Sequence, residues 1–385
     1  MKILDRYILT TFLVSLAICL AAIMGLALLL DFSFNRNKFL DLASETEQAG
    51  LWALLAGIAD YYFYRAFHYF QLLAAPALLV SAAASMVRLN RTRELTSIKA
   101  AGVSLYRVMW PMILVALILD GFYLVNQEYI IPGISVQLAR DPDDLAVQEN
   151  FPIDFVRDEH NNIIYAPTYD PNAQEMRAEK KVFEDGSVIF PARVRIFQRD
   201  SKYEALGTIE AENAKWDGAR GRWVFTNGIK LPPIEKATLI NRIPTGPEGE
   251  PQKDYYTNIG PRQLLRHRAS DFYRYMSYAE LKSLAEDPMR GNRRQLQVEM
   301  HQHVTGPILN ILVLLLGMPF VAAREDRSYV VSIAVATSLF IGVFAVRFVS
   351  TAFGNAGHVG PLLAAWLPIF IVLPASILSM EALRT

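Results

Sequence analysis

The sequence predicts an α-helical membrane protein with six transmembrane helices in two sets of three and an all-β domain inserted between the sets. Three observations predict it. Long apolar runs cover residues 8–30, 66–87, 108–125, 304–323, 329–350 and 361–380. One polar stretch, about residues 126–298, separates the third run from the fourth. Within it, short alternating segments are punctuated by Gly, Asn and Pro, the signature of strands and turns. Composition agrees. With 52% hydrophobic and 20% charged residues the chain is apolar for a soluble protein, yet too polar for a bare helical bundle. The formal net charge is zero, so nothing draws the whole chain to nucleic acid.

The first run holds 23 residues without a charge, about 35 Å of helix and enough to cross a bilayer core. It exceeds the apolar region of a signal peptide, and Ala21-Ala22 lies too deep for a cleavage site, so it reads as a retained span. The single cysteine, Cys19, falls inside it as inert packing and can form no intrachain disulfide. Residues 31–65 read as an outer loop. Within them 51–58 is too short to span, and lies at the interface or forms the first turns of a longer second helix. Tyr61, Tyr62, Tyr64 and Tyr69 match an aromatic belt of lipid-facing anchors.

Basic residues set the orientation. Residues 88–107 carry Arg88, Arg91, Arg93, Lys99 and Arg107 against one acid, Glu94. Lys2 and Arg6 flank the first span, and Arg324 and Arg327 the turn between the fourth and fifth. An even number of crossings puts these segments on one side, the cytoplasm by the positive-inside rule. Both termini then lie inside and the insert outside.

In the insert, Val194-Arg195-Ile196-Phe197 alternates, and Trp223-Val224-Phe225 runs into the turn signal Thr226-Asn227-Gly228. Lys215-Trp216 runs into Asp217-Gly218, a second tight turn, while Tyr165, Tyr203, Ile209 and Ile229 lie in similar short segments. Strands at such spacing suggest a sandwich or a partly open barrel. Residues 244–251 read as a surface loop. Ser277-Tyr278-Ala279-Glu280 is a capping box opening a helix that returns the chain to the membrane.

Catalytic signatures are missing: no Walker motif, GxSxG or HExxH, and no Cys or His cluster at zinc spacing. His301 and His303 would point about 200° apart on a helix and would not share a metal. Acids such as Asp143 and Asp144 read as solvated surface. Energy-driven work therefore needs a partner. The sharpest local signal is residues 91–107, Arg-Thr-Arg-Glu-Leu-Thr-Ser-Ile-Lys-Ala-Ala-Gly-Val-Ser-Leu-Tyr-Arg. Leu95, Ile98 and Ala101 form a small apolar face at helical spacing, Gly102 is a helix stop, and Ser104 can cap the next helix. Such a stub suits a groove on a cytoplasmic subunit as well as it suits an ordinary basic loop.

This segment resembles the coupling segment of the lipopolysaccharide-export permeases, the LptF/LptG (YjgP/YjgQ) family, whose pattern is close to R-E-L-T-A-L-R-A-A-G-V-S-L-Y-R. Leu4-Asp5-Arg6-Tyr7-Ile8 resembles the family's start, and Pro76 lies in a similar second span. Residues 211–216 and 223–228 resemble its periplasmic domain, Glu299 with His301 and Pro307 its fourth span, and Ala365-Trp366-Leu367-Pro368 its last. The likeness covers essentially the whole chain. The family usually carries Arg where this chain has His303, which weakens an ionic role there.

The resemblance implies six transmembrane helices (3+3) around an inserted periplasmic jellyroll-like β domain. Residues 1–126 would hold spans 1–3 with a coupling helix at about 90–102, residues 127–298 the periplasmic domain, and residues 299–385 spans 4–6. It implies an inner-membrane permease subunit that pairs with a second LptF/LptG-type permease and is driven by a cytoplasmic ABC ATPase dimer. ATP and Mg bind that partner, and the chain itself carries no cofactor. Lipopolysaccharide or a related glycolipid would pass to a periplasmic LptC-like jellyroll bridge, with strand pairing at the insert's open sheet edge. Extracting acyl chains costs about 0.8 kcal/mol per CH₂, hence the ATP. Arg91, Arg93, Glu94, Leu95, Ile98 and Gly102 would form the ATPase-coupling element, with Glu94 docking in the ATPase groove. Arg36, Lys38 and Arg347 are candidate contacts for lipid phosphates; Arg347 alternatively pairs with Asp120 in the third span. The competing readings are a permease of lipoprotein-release type, which has four spans, a membrane-anchored periplasmic enzyme, and a non-transporting adaptor.

Overall fold

The computed structural model describes residues 3–45, 50–140, 142, 150–179, 193–200, 202, 204–233, 249–267, 272–286, 292–322 and 329–381. Tyr203, Asp143, Asp144, Lys2, Arg324, Arg327 and residues 244–248 lie outside them. The helices are α1 (Ile3–Glu45), α2 (Gly50–Arg91), α3 (Glu94–Ala100), α4 (Leu105–Val125), the short α5 (Ile131–Gly133) and α6 (Ser135–Leu138), α7 (Pro261–His267), α8 (Tyr278–Ala285), α9 (Arg293–Ala322), α10 (Tyr329–Ala356) and α11 (Pro361–Glu381). The strands are β1 (Phe151–Arg157), β2 (Ile163–Asp170), β3 (Glu175–Arg177), β4 (Val194–Arg199), β5 (Ala205–Ala211), β6 (Asn213–Asp217), β7 (Arg222–Thr226), β8 (Ile229–Leu231), β9 (Glu250–Pro251) and β10 (Asp254–Tyr256). Among the described residues six helices are long and apolar enough to cross a membrane: α1, α2, α4 with its continuation to Gly133, α9, α10 and α11. The chain divides into two compact units: residues 1–37, 62–135 and 273–385 form one, and residues 38–61 and 136–272 the other.

The helical unit has a core of Ile8 and Phe12 from α1, Leu78 and Met86 from α2, Met109 and Met112 from α4, Val313 from α9 and Val372 from α11. Without a hydrophobic force between helices in lipid, close approach and hydrogen bonds hold them. A side chain on Gly317 of α9 would collide with Leu79 of α2, so glycine lets the two helices touch. Ser376 of α11 donates to the Leu312 carbonyl of α9 at 3.0 Å.

Two expectations about residues 31–65 need correction. The described residues among them are helical rather than loop: α1 continues to Glu45, and of the two readings of 51–58 the second holds, since they are the opening turns of α2. Residues 31–45 contain neither Gly nor Pro, so no signal stops the helix there. At 43 residues, α1 is about 65 Å long, twice what a bilayer core requires. Tyr61 is no lipid-facing anchor either. It is 1% exposed and packs edge-on against Phe39 at 5.9 Å. Cys19, expected among packed residues, is half-exposed.

The second unit is one antiparallel sheet that forks. β1 lies along one side of β2, while the other side is shared: Ile163, Ile164 and Tyr165 pair with β4, and Thr168, Tyr169 and Asp170 pair with β3. One arm then runs β4–β5–β8–β9 and the other β3–β6–β7–β10. Both arms fill a single core, Ile196 and Ile209 from the first, Met176 and Trp223 from the second. The predicted turn at Asp217-Gly218 joins β6 to β7 as a hairpin. The turn at 226–228 instead carries the chain from one arm to the other, since β8 pairs with β5 and β9. Only glycine fits at Gly228, where a Cβ would strike the Gln252 carbonyl.

A buried cluster stitches the β1–β2 turn to β10. Asp158 accepts from the backbone N–H of His160 (2.9 Å) and Asn162 (2.8 Å) and from the Tyr255 hydroxyl. Burial, reinforced by that carboxylate, pushes the Tyr255 phenol well above its ordinary value. Burial likewise raises Tyr169. Asp158, Glu159 and His160 cluster closely enough to suggest a metal. Yet Asp158 serves the turn, and Glu159 accepts from Thr257 and Asn258, so these acids read as turn structure.

Candidate functional site

Two regions of the helical unit gather the functional candidates. The first is the connection between α2 and α4. The expected single helix over about 90–102 is broken: α2 ends at Arg91, Arg93 takes a left-handed φ of 56°, and α3 starts at Glu94. That conformation is unusual for a residue with a Cβ and redirects the chain sharply. Gly102, at φ 74°, ends α3 with its N–H on the Lys99 carbonyl at 2.9 Å, as a helix-stopping glycine should. Ser104 occupies the cap position of α4 but makes no side-chain capping bond.

Arg91, Arg93 and Gly102 are exposed, whereas Leu95 is fully buried and Ile98 packs beside it, both against the bundle core. Two of the three residues of the expected apolar face are therefore turned inward, while the third, Ala101, is exposed. Leu95 and Ile98 seat α3, and the polar face is what a partner can reach. Glu94 is half-buried and accepts a hydrogen bond from the Tyr7 hydroxyl of α1 at 3.1 Å. Asp5 of α1 lies 3.9 Å from Arg107 of α4.

The second region is a cavity of about 310 Å³ between α2, α4, α9 and α10, lined by Arg347, Glu299, Gln302, His303, Gln71, Tyr123 and Asn310 among others. Each helix supplies polar groups at helical spacing: His68 and Gln71; Tyr123 and Gln127; Glu299, Gln302, His303 and Asn310; Arg347 and Thr351. Polar groups at this depth are costly and mark pathways or ligand sites. They are knit together. Asn126 donates to Gln71 (3.1 Å), and Gln71 to Gln127 (2.9 Å). Asn126 and Gln127 open a π-helical turn, Asn126–Ile130, a distortion frequent at functional sites.

Arg347 donates to Gln302 at 3.3 Å, and Asp120 accepts from Asn310 at 3.0 Å. The alternative Arg347–Asp120 pair is thus not formed, because each group has a nearer amide. At the mouth of the π-turn, Glu128 accepts from His303 Nδ1 at 2.9 Å and from the Tyr278 backbone N–H, at the start of α8, at 3.0 Å. The position of His303 therefore does carry an ion-pair geometry, contrary to expectation: an imidazole N–H reaches the carboxylate. The predicted capping box Ser277–Glu280 is present at that same helix start.

Arg36 and Lys38 are not brought together. Both are exposed on α1, two residues apart and so about 200° around the helix. Arg36 contacts the neighbouring Asn37 at 3.4 Å.

Glu128, Gln71, Asn126 and Gln127 were missed by sequence reasoning. Gln71 is the one of them inside an apolar run; Asn126, Gln127 and Glu128 follow the third run directly, where the sequence reads as the start of the polar insert.

No curated protein matches the chain. The family model described as "Lipopolysaccharide export system permease LptF/LptG" matches residues 6–381. Six candidate spans, an inserted antiparallel sheet and a match over nearly the whole length lead to one assignment: the chain belongs to the LptF/LptG family, multi-pass inner-membrane permeases of lipopolysaccharide export, transporters rather than enzymes.

Proposed function

We propose that this permease is one subunit of an ABC-type exporter and that α3 is where a cytoplasmic ATPase dimer docks, ATP and Mg being held by that partner. The observation that carries the reading is α3 itself. It is a separate short helix, keyed to the bundle by Leu95, with Glu94 at its start and Arg91 and Arg93 exposed beside it. On this reading the basic segment at 88–107 and both termini are cytoplasmic and the insert between the third and fourth spans, about residues 127–298, is periplasmic. A second LptF/LptG-type permease would cover α1 and α10. Only 6% and 17% of their apolar windows are buried, against 72% for α9. Lipopolysaccharide or a related glycolipid would be lifted past the cavity, with Arg347 facing a lipid phosphate and exposed Arg36 and Lys38 as separate, outer contacts. It would then pass to an LptC-like periplasmic bridge through an open edge of the sheet.

The test is purification of the full-length protein with its native partners, wild type against Glu94→Ala and Arg347→Ala. Glu94→Ala is expected to lose most of the ATPase while keeping fold and bound lipid, and Arg347→Ala to lose lipid while keeping the ATPase. Retention of the ATPase and of lipid export by Glu94→Ala removes the docking assignment.

A further inference from the structure

We propose that Tyr7 is a positioning residue for the coupling carboxylate: its hydroxyl orients Glu94 and ties the start of α1 to the movement of α3. The inference rests on the reading of Glu94 as the docking acid. Glu94 is the first residue of a seven-residue helix entered through a left-handed Arg93, with no side-chain cap at that end. Its own helix does little to fix the carboxylate. The Tyr7 hydroxyl, 87 residues earlier in the chain, occupies one acceptor site on Oε1 and leaves Oε2 for another donor.

The contact is built on two anchors. Ile8, next to Tyr7, and Leu95, next to Glu94, are both 0% exposed and belong to one core cluster. The hydroxyl and the carboxylate are thus each one residue from a fixed point. The ion pair between Asp5 and Arg107 ties the same turn of α1 to the start of α4, so α1 holds the α2–α4 connection at both of its ends. Among the six spans α1 has the least of its apolar window buried. Contacts at its first turns therefore carry more of its attachment than they would for α2 or α9. A push on α3 reaches α1 through Glu94 and Tyr7.

The test compares wild type, Tyr7→Phe, Glu94→Gln, the double variant and Glu94→Ala. Each full-length permease is reconstituted with its ATPase and partner permease in vesicles containing lipopolysaccharide, reading ATP hydrolysis, retained ATPase and lipid moved per ATP. Tyr7→Phe keeps the ring and removes only the hydroxyl. It is expected to retain the ATPase and to lower lipid moved per ATP severalfold. The double variant should be no worse than Glu94→Gln alone, because Tyr7 acts through Glu94. Wild-type transport per ATP by Tyr7→Phe, or an effect that simply adds to that of Glu94→Gln, overturns the proposal while leaving Glu94 as the docking acid. Full ATPase retention and transport by Glu94→Ala overturns the docking assignment and the positioning role with it.

Discussion

Two carboxylates at opposite ends of α4 show how differently one chemical group is used. Glu128, in the π-turn beyond its end, holds two elements at once, the His303 imidazole of α9 and the first N–H of α8. His303 is only 6% exposed, so its partner is hard to replace with water. Glu94, before the start of α4, holds a single hydroxyl in an exposed contact. The first acid closes the unit where the chain leaves for the sheet and returns. The second is lightly held, as a group must be if a partner is to take it. The burial of the partner and the number of donors separate a structural acid from an available one.

The largest expected effect falls on Glu128. Glu128→Ala strands a buried imidazole and an N–H, and should lower stability by about 3 kcal/mol. Thermal unfolding in detergent measures it; a loss no larger than that of a surface variant would erase the contrast with Glu94. An intermediate effect belongs to the sheet unit, where Asp158 is engaged as fully as Glu128. Tyr255, its partner, and Tyr169 titrate above the ordinary tyrosine value of about 10 when folded, so the folded state favours their neutral form. That stability is fully present below pH 10 and is lost as pH rises beyond it, by up to about 1.4 kcal/mol per pH unit for each group. Unfolding followed from pH 8 to 11 should show the loss, and Tyr255→Phe should reduce its slope. The smallest effect belongs to Glu94. Glu94→Ala should change stability by no more than about 0.5 kcal/mol, as exposed single contacts do. A drop comparable to that of Glu128→Ala would mean that the acid is part of the scaffold.

The six spans were legible because a bilayer demands long apolar runs, and these stand out at any composition. The strands at 194–197 and 223–225, the turn at 217–218, the stop at Gly102 and the box at Ser277 were legible because each depends on neighbours in sequence. The cavity was not. Its walls come from four helices, and Gln71 and Asn126 are ordinary polar residues until a fold sets one against the other. The inward turn of Leu95 and the burial of Tyr61 were misread for a related reason. An apolar face or an aromatic belt says that a surface is covered, and leaves open whether lipid, a partner or the chain itself covers it.

By itself, then, the sequence determined the spans, the insert and the family, because periodicity, charge bias and motif spacing are local properties. Tertiary structure alone decided that the sheet forks at β2, that Glu128 meets His303, and that Tyr7 reaches Glu94 across 87 positions. Those pairings follow from which helices pack side by side, and that is set by the sum of many small contacts spread over the whole chain.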